Sequence, residues 1–146
     1  MAHLFRKYPK ATSGCLSWAR CNTICNTTLA MIGVKQLSLH KFILANNVEL
    51  RKEVTAWSEK LLNANYQDII FNVWRYSPPK ALGDVFESVM GAIFVDSGFN
   101  YQLVSKIVES VMAEVLEIAS PDIPKDPVSR FMEWVSKAGC RKARFK

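Results

Sequence analysis

The feature that most constrains the fold of this chain is the spacing of its apolar residues, which recur every three or four positions along nearly the whole sequence. This is the period of an α-helix with one buried face. No run of about four to eight residues alternates between apolar and polar side chains, as a half-buried β-strand requires. We therefore predict an all-α fold.

Capping residues and prolines divide this pattern into separate helices. Thr12 or Ser13 can cap the first long helix, and Asn100 can cap a later one. The sequence Ser77-Pro78-Pro79 interrupts the pattern, because proline removes a hydrogen-bond donor and restricts the residue before it. Residues 121–127 contain three prolines and are predicted to be a connector. The predicted helices span residues 15–34, 48–64, 66–74, 81–98, 101–119 and 127–138, with a shorter helical segment at 39–44.

Length and charge restrict the class of protein further. One domain is expected from 146 residues, and 49% hydrophobic with 22% charged residues is the balance of a packed domain rather than a disordered chain. The net charge of +6 is unevenly distributed, because no Asp or Glu precedes Glu49 and residues 137–146 contain five basic and no acidic side chains. Basic ends of this kind favour a polyanionic partner such as nucleic acid.

The sequence contains no segment suited to a membrane span. The longest uncharged stretch, residues 21–34, is shorter than the roughly 20 apolar residues that cross a bilayer, and the first residues lack the apolar core of a signal peptide. Four cysteines without a secretion signal are typical of reduced thiols, so we expect an intracellular protein of the cytoplasm or nucleus. A zinc site is the alternative for Cys21 and Cys25, although there is no C-x-x-C pair and neither histidine has a ligand spacing.

The helix predicted at residues 81–98 carries the clearest candidate for chemistry. Glu87, Ser88 and Gly91 follow Asp84 by three, four and seven positions and share its face, bordered by large apolar side chains that we expect to be buried. Mg²⁺ takes one or two carboxylates from a protein, while water and phosphate fill its other positions. The alternative is the solvated edge of an amphipathic helix. Gly91 favours the first interpretation, because a glycine within a helix costs about 1 kcal/mol and indicates close approach of another helix or a ligand.

Two blocks of sequence resemble a known family. The run from Lys80, KALGDVFESVMGAIFVDSG, closely resembles the second acidic motif of ribonuclease III domains, and its Pro-Lys opening is most similar to the second nuclease domain of Dicer-type enzymes. The stretch LFRKYPKATSGCLSWAR, followed by CNTTLA at residues 25–30, resembles the segment that follows the first acidic motif of the same family. The blocks stand in family order, and the match covers roughly residues 3–118.

The resemblance implies an endoribonuclease that acts on double-stranded RNA. It implies the helical ribonuclease III fold, Mg²⁺ as cofactor with Mn²⁺ as a substitute, and two-metal-ion phosphodiester hydrolysis in Dicer-type small-RNA processing and RNA silencing. At the matching positions, Asp84 and Glu87 would be catalytic metal ligands, and Lys80 would place its charge beside the scissile phosphate. The alternative role of Lys80 is that of a solvated lysine before a helix.

The sequence departs from the family pattern at the first acidic pair. The family builds each metal site from four acids, and the first two belong to a signature helix expected just upstream of His3, whereas this chain has no acid before Glu49. We therefore expect residues 1–120 to form a partial ribonuclease III domain that lacks this helix and holds half of the acidic site. The alternatives are a non-cleaving module that binds RNA or mediates dimerisation, and an unrelated helical interaction domain. Lys10, where the family often has aspartate, is a smaller departure.

The C-terminal residues are expected to begin another domain. Residues 121–146 resemble the connector and first helix that lead into a double-stranded-RNA-binding domain. They end in basic side chains suited to phosphate contacts or to a solvated terminus: Arg141, Lys142, Arg144 and Lys146. Ribonuclease III domains work in pairs, so the resemblance implies a second such domain as partner, in the same chain or in a homodimer. We expect it to contact some of four large side chains: Trp18, Phe86, Met90 and Phe94.

Overall fold

The computed structural model describes residues 2–138, and every regular element in this part of the chain is helical. The all-α prediction is therefore confirmed. The helices, in chain order, are α1 Ala2–Lys7, α2 Ser13–Thr23, α3 Asn26–Lys35, α4 Val48–Asn63, α5 Tyr66–Phe71, α6 Lys80–Asp96, α7 Tyr101–Val111, α8 Ala113–Ile118 and α9 Pro127–Lys137, with short 3-10 helices at Leu39–Phe42 and Val73–Arg75.

Helix α3 lies at the centre of the domain. Its residues from Thr27 to Val34 are all buried, and α4, α5 and α6 pack around it, with α6 making the most extensive contact. A helix that is apolar all round is stable only when other helices cover it on every side. The main core is formed by Leu29, Ala30, Met31, Ile32, Val34, Val54, Leu61, Ile69, Ile70, Leu82, Phe86, Met112, Val115 and Ile123.

The single helix predicted over residues 15–34 is wrong, because the chain breaks between α2 and α3. The carbonyl oxygen of Asn22 accepts a hydrogen bond from Thr28 Oγ1 at 2.7 Å instead of continuing the helical ladder. The thiol of Cys25 also contacts this carbonyl oxygen, at 3.5 Å. Side chains that bond to nearby backbone compete with helix in this way. The predicted cap of α2 does form, since Thr12 Oγ1 accepts from the backbone N–H of Cys15 at 3.3 Å.

Helix α1 was not predicted, because its stability depends on distant contacts. A six-residue helix is unstable alone, but Leu4 is buried in a second small cluster with Leu16, Ala19 and Ala119. Lys7 Nζ also donates hydrogen bonds to the last carbonyl oxygens of α8, at 3.1 Å and 2.6 Å. A lysine at a helix C-terminus satisfies carbonyl groups that have no partner within the helix.

The C-terminal part of the described chain differs slightly from prediction. The helix expected over residues 101–119 is divided at Met112 into α7 and α8. The connector packs against the domain, since Ile123 is buried and its carbonyl oxygen accepts a hydrogen bond from Trp18 Nε1 at 3.1 Å. Helix α9 lies where the amphipathic pattern predicts a helix, and it begins at an Asp126 cap that was not predicted. Within residues 2–138, no helix has both the length and the apolar character needed to cross a bilayer.

Candidate active site

Helix α6 carries the three residues that the sequence analysis placed at the site. It begins at Lys80, directly after Pro79, and its first turn contains buried Leu82 and Gly83 facing α3. The opposite side of the same turns faces solvent. Proline before a helix suits this arrangement, because its fixed backbone angle leads into the first turn.

Lys80, Asp84 and Glu87 share one exposed face of α6. Lys80 Nζ lies 2.8 Å from Asp84 Oδ1 and 2.9 Å from Asp84 Oδ2, so it holds both oxygens of that carboxylate. The two side chains are 81% and 45% exposed. Glu87 follows less than one turn later and is also exposed, and Ser88 Oγ donates to the backbone carbonyl of Asp84 at 2.8 Å. The face therefore presents two carboxylates and one cation to anything that approaches from solvent.

The ion pair keeps Lys80 charged. Its hydrogen bonds to Asp84 and the attraction of that carboxylate, with a smaller contribution from Glu87, raise the pKa of Lys80 above its ordinary value. Because a raised lysine pKa favours the ammonium form at neutral pH, Lys80 is suited to binding an anion and not to accepting a proton.

The donor set fits a hard divalent cation that is only partly bound by protein. Within residues 2–138 no group of three or more His, Cys, Asp or Glu side chains is close enough to hold a metal ion. Asp84 and Glu87 offer only carboxylate oxygens, which match Mg²⁺ with water and phosphate as its remaining ligands. Lys80 competes with an ion for Asp84, because its ammonium group lies on both oxygens of that carboxylate. Cys15, Cys21 and Cys25 are free thiols.

Close approach of another helix to α6 occurs at Gly83, which the sequence analysis did not single out. A Cβ atom at this position would overlap Asn26 Oδ1 and would lie 2.9 Å from Asn26 Cγ and 3.1 Å from the Asn26 carbonyl oxygen. The side-chain amide of Asn26 therefore packs directly against Gly83, the residue before Asp84. Gly91, where close approach was predicted, has no atom within 4 Å of the same ideal position. The prediction that another helix approaches α6 closely at Gly91 is therefore wrong for the described part of the chain.

The apolar residues of α6 are buried only in its first half. Leu82 and Phe86 are core residues, so the expectation that Phe86 faces a partner is wrong. Met90, Phe94 and Trp18 are partly buried. Further along, large side chains are exposed where α6 turns into α7, and we call this set the apolar corner: Val95 at 61%, Phe99 at 67%, Tyr101 at 74% and Leu103 at 43%.

The apolar corner also has an unusual backbone. Gly98 and Phe99 both have positive φ, 67° and 64°, a conformation that costs energy for phenylalanine. The ring of Phe99 packs edge to face on Phe94, with ring centres 5.4 Å apart. The strained conformation thus places a large aromatic side chain in solvent. The basic residues proposed to contact RNA, Arg141, Lys142, Arg144 and Lys146, lie outside the described residues.

Comparison with known proteins identifies the family. The model of the ribonuclease III domain matches residues 1–98, which include all three residues of the exposed face. Endoribonuclease Dicer homolog 2 of Arabidopsis thaliana is 36% identical over 136 residues, which is 92% of this chain and 10% of that protein. Protein Dicer of Schizosaccharomyces pombe is 35% identical over 103 residues, 68% of this chain and 7% of that protein.

A vertebrate relative gives the same result. Endoribonuclease Dicer-S of Xenopus laevis is 29% identical over 142 residues, 90% of this chain and 8% of that protein. The chain thus spans about a tenth or less of the length of these relatives. The family match and the relatives confirm the resemblance drawn from the two sequence blocks. The chain belongs to the ribonuclease III domain family, and it is of the Dicer type.

Proposed function

We propose that this chain is an endoribonuclease domain that hydrolyses phosphodiester bonds of double-stranded RNA in Dicer-type small-RNA processing. The observation that supports this most directly is the exposed face of α6, where Lys80, Asp84 and Glu87 lie together inside the region that matches the family. The cofactor we propose is Mg²⁺, with Mn²⁺ as a substitute, since the donor atoms are all carboxylate oxygens.

Each residue has a role that follows from its chemistry. Asp84 and Glu87 would hold the divalent ions, two in the mechanism we propose. When bound, such ions supply a nucleophile at neutral pH and stabilise charge on the leaving oxygen. Lys80 is an ammonium ion at neutral pH, as any exposed lysine is, and its Nζ can bind a non-bridging phosphate oxygen. The same lysine competes with an ion for Asp84, so ion binding would favour release of Lys80 toward the phosphate.

The same observations leave one alternative function. This face offers two carboxylates, and no acidic residue precedes Glu49, so a complete four-acid site requires a second pair from elsewhere. A domain without that pair would bind RNA or a partner without cleaving. A metal-titrated assay on a long RNA duplex distinguishes the two, using the chain alone and the chain combined with a segment that carries the first acidic motif. Divalent-ion-dependent products with 5′-phosphate ends support cleavage, and binding without products supports the alternative.

Lys80→Gln is expected to separate ion binding from cleavage. Loss of one cation that stabilises a developing phosphate charge costs about a hundredfold in rate. The affinity of the site for Mn²⁺ should stay the same or rise, because the competing ammonium group is gone. Rates come from the duplex assay, and affinities come from paramagnetic broadening of the Asp84 and Glu87 amide signals. Lys106→Gln, an exposed lysine on α7, is the matched control. Weaker Mn²⁺ binding in Lys80→Gln would contradict the idea that the Lys80 ammonium group competes with the ion for Asp84.

We also propose that the apolar corner contacts a second ribonuclease III domain. Exposed apolar patches of this kind mark protein interfaces, and the positive φ of Phe99 keeps an aromatic side chain in solvent. Basic residues beyond the described chain, Arg141, Lys142, Arg144 and Lys146, would add phosphate contacts whose strength falls with salt.

Phe99→Asn is expected to weaken pairing about 10- to 100-fold. Asparagine tolerates positive φ, so the variant removes buried apolar area at an interface without adding backbone strain. The measurement is the dimer dissociation constant from sedimentation equilibrium. Trp134→Asn, an equally exposed aromatic residue on α9, is the control and should leave pairing unchanged. The proposed role of the apolar corner would be contradicted if the unchanged chain stays monomeric at millimolar concentration. It would also be contradicted if Phe99→Asn and Trp134→Asn have the same dimer dissociation constant.

A further inference from the structure

The N-terminus of α6 lacks the side-chain cap that several other helices of this domain have. Helices α2, α4, α5, α7 and α9 begin at capping side chains: Thr12, Asn47, Asn65, Asn100 and Asp126. The residue at this position in α6 is Pro79, whose side chain cannot accept a hydrogen bond. Lys80 is the first residue of α6, so its pair with Asp84 depends on the turn that frays most easily. Contacts from outside the helix can therefore contribute to the stability of this turn.

Residues 76–79, which we call the strap, connect the 3-10 helix Val73–Arg75 to α6 and are anchored through Tyr76. The Tyr76 hydroxyl donates a hydrogen bond to Asp68 Oδ2 on α5. Asn72 Nδ2 donates to the other oxygen of Asp68 at 3.0 Å, which fixes the carboxylate. The bond to Asp68, together with burial, raises the pKa of Tyr76 above its ordinary value, so the hydroxyl stays a hydrogen-bond donor into the alkaline range.

The backbone of the strap is held to α3 as well. The Tyr76 carbonyl oxygen accepts a hydrogen bond from Thr27 Oγ1 at 3.1 Å, and Thr27 is only 7% exposed. Two residues later, the Pro78 carbonyl oxygen accepts from Asn26 Nδ2 at 3.5 Å. Tyr76 is therefore bonded through its side chain to α5 and through its main chain to α3, four residues before Lys80.

The Tyr76 ring is also packed from a third helix. Lys60 Nζ, on α4, lies 5.3 Å from the centre of the Tyr76 ring and 4.2 Å from the centre of the Trp57 ring. A cation over an aromatic face contributes about 0.5–1 kcal/mol at exposed sites. Three helices, α3, α4 and α5, thus contact the single strap residue Tyr76.

We propose that Tyr76 is a positioning residue that replaces the missing cap of α6: by tying the strap to Asp68 and Thr27, it keeps the first turn closed and Lys80 beside Asp84. The effect on cleavage rests on the proposed function, whereas the effect on the turn follows from the contacts alone. One hydrogen bond of ordinary strength changes such an equilibrium about fivefold. Loss of the Tyr76 hydroxyl is therefore expected to open the turn and weaken the Lys80–Asp84 pair by that factor.

The test is Tyr76→Phe in the 146-residue chain, with hydrogen exchange of the backbone amides of residues 82–84 measured by NMR. These amides lie in the first turn of α6, where the Leu82 N–H donates to the Pro79 carbonyl oxygen at 3.0 Å, so easier opening of the turn should speed their exchange about fivefold. Where cleavage is measured, kcat should fall by up to about fivefold because Lys80 is displaced, while KM for the duplex should change less, since one phosphate contact is a small part of duplex binding.

Two substitutions of Asp68 test whether the effect comes from its bond to the Tyr76 hydroxyl. Asp68→Asn keeps one oxygen for the Tyr76 hydroxyl, although it loses the bond from Asn72, and should keep amide exchange at residues 82–84 slow, whereas Asp68→Leu should speed this exchange as Tyr76→Phe does. The double variant of Tyr76→Phe and Asp68→Leu should be no worse than either single change, since both remove the same bond. Tyr66→Phe is the matched control, because it removes a comparable 2.9 Å bond, from Gln36 Nε2 to the Tyr66 hydroxyl, away from the strap.

Each result decides the question. Amide exchange at residues 82–84 that is unchanged in Tyr76→Phe, or that speeds up equally in Tyr66→Phe, would overturn the positioning role. Faster exchange confined to Tyr76→Phe and Asp68→Leu would establish it. If neither the unchanged protein nor any variant cleaves RNA, the proposed function fails, but the exchange rates still decide whether the strap holds the turn.

Discussion

Replacing Asp84 with asparagine and Glu87 with glutamine should reduce divalent-ion-dependent cleavage of a long RNA duplex by roughly a thousandfold, or about 4 kcal/mol of transition-state stabilisation. The substitutions keep size and shape but remove both negative charges from the exposed face of α6. Because the face is solvent-exposed and its only ion pair in the described chain is the one with Lys80, the fold should tolerate the change. The melting temperature of the double variant should stay within a few degrees of the unchanged protein.

A second measurement tests ion binding directly and does not require the unchanged protein to cleave RNA. Mn²⁺ should broaden the amide signals around residues 84–87 in the unchanged chain and should leave them sharp in the double variant. Asp96→Asn, an exposed carboxylate at the other end of α6, is the matched control and should keep the broadening at residues 84–87. Cleavage that survives both substitutions, or Mn²⁺ broadening that persists without the carboxylates, would show that the ion binds elsewhere.

Gly83→Ala is expected to lower the free energy of unfolding by about 1–2 kcal/mol, the reverse of what helix propensity predicts. The added methyl group would overlap the amide oxygen of Asn26 and press on its backbone carbonyl oxygen, which α3 holds in place. Denaturant unfolding measures the change. If Asn26 turns away instead, its bond to the Pro78 carbonyl is lost, so part of the cost appears as a looser strap.

Gly91→Ala is the matched control on the same helix. With no atom within 4 Å of the new methyl group, it should gain up to about 1 kcal/mol from helix propensity, so the two variants should differ by about 1–3 kcal/mol. Asn26→Ala combined with Gly83→Ala should recover part of the loss, because the overlapping side-chain atoms are gone. Equal stability of the two alanine variants would contradict the close packing of α3 on α6. A stable Gly91→Ala protein with reduced cleavage would instead indicate that RNA or a partner approaches that face.

The exposed face of α6 could be predicted from the sequence because it depends on helix periodicity alone. Asp84 and Glu87 stand three positions apart in a segment with a strong helical pattern, so their shared face needs no tertiary information. Lys80 was placed beside the acidic pair by the family resemblance and was expected just before the helix, whereas the structure makes it the first residue of α6. The motif around these residues also carried the family resemblance, which the comparison confirmed.

Contacts between distant segments could not be predicted in the same way. Another helix approaches α6 closely at Gly83 and not at Gly91. The difference is that Asn26, on a separate helix, lies against Gly83, and the sequence does not show this. Phe86 was expected at a partner surface and is a core residue, since helical spacing gives the faces of a helix but not which neighbour covers each face. The break between α2 and α3 depends on competition for the Asn22 carbonyl, which apolar periodicity does not report.

The sequence by itself therefore determined the helical class, the family and the grouping of Lys80, Asp84 and Glu87, all of which follow from patterns local to one helix or one motif. Only the tertiary structure decided that α3 is the central helix, that the apolar corner is exposed, and that Tyr76 ties the start of α6 to α3 and α5. The physical reason is the range of the interactions. Periodicity acts over a few residues, whereas Thr27 and Tyr76, or Asn26 and Gly83, become neighbours only when the whole chain packs.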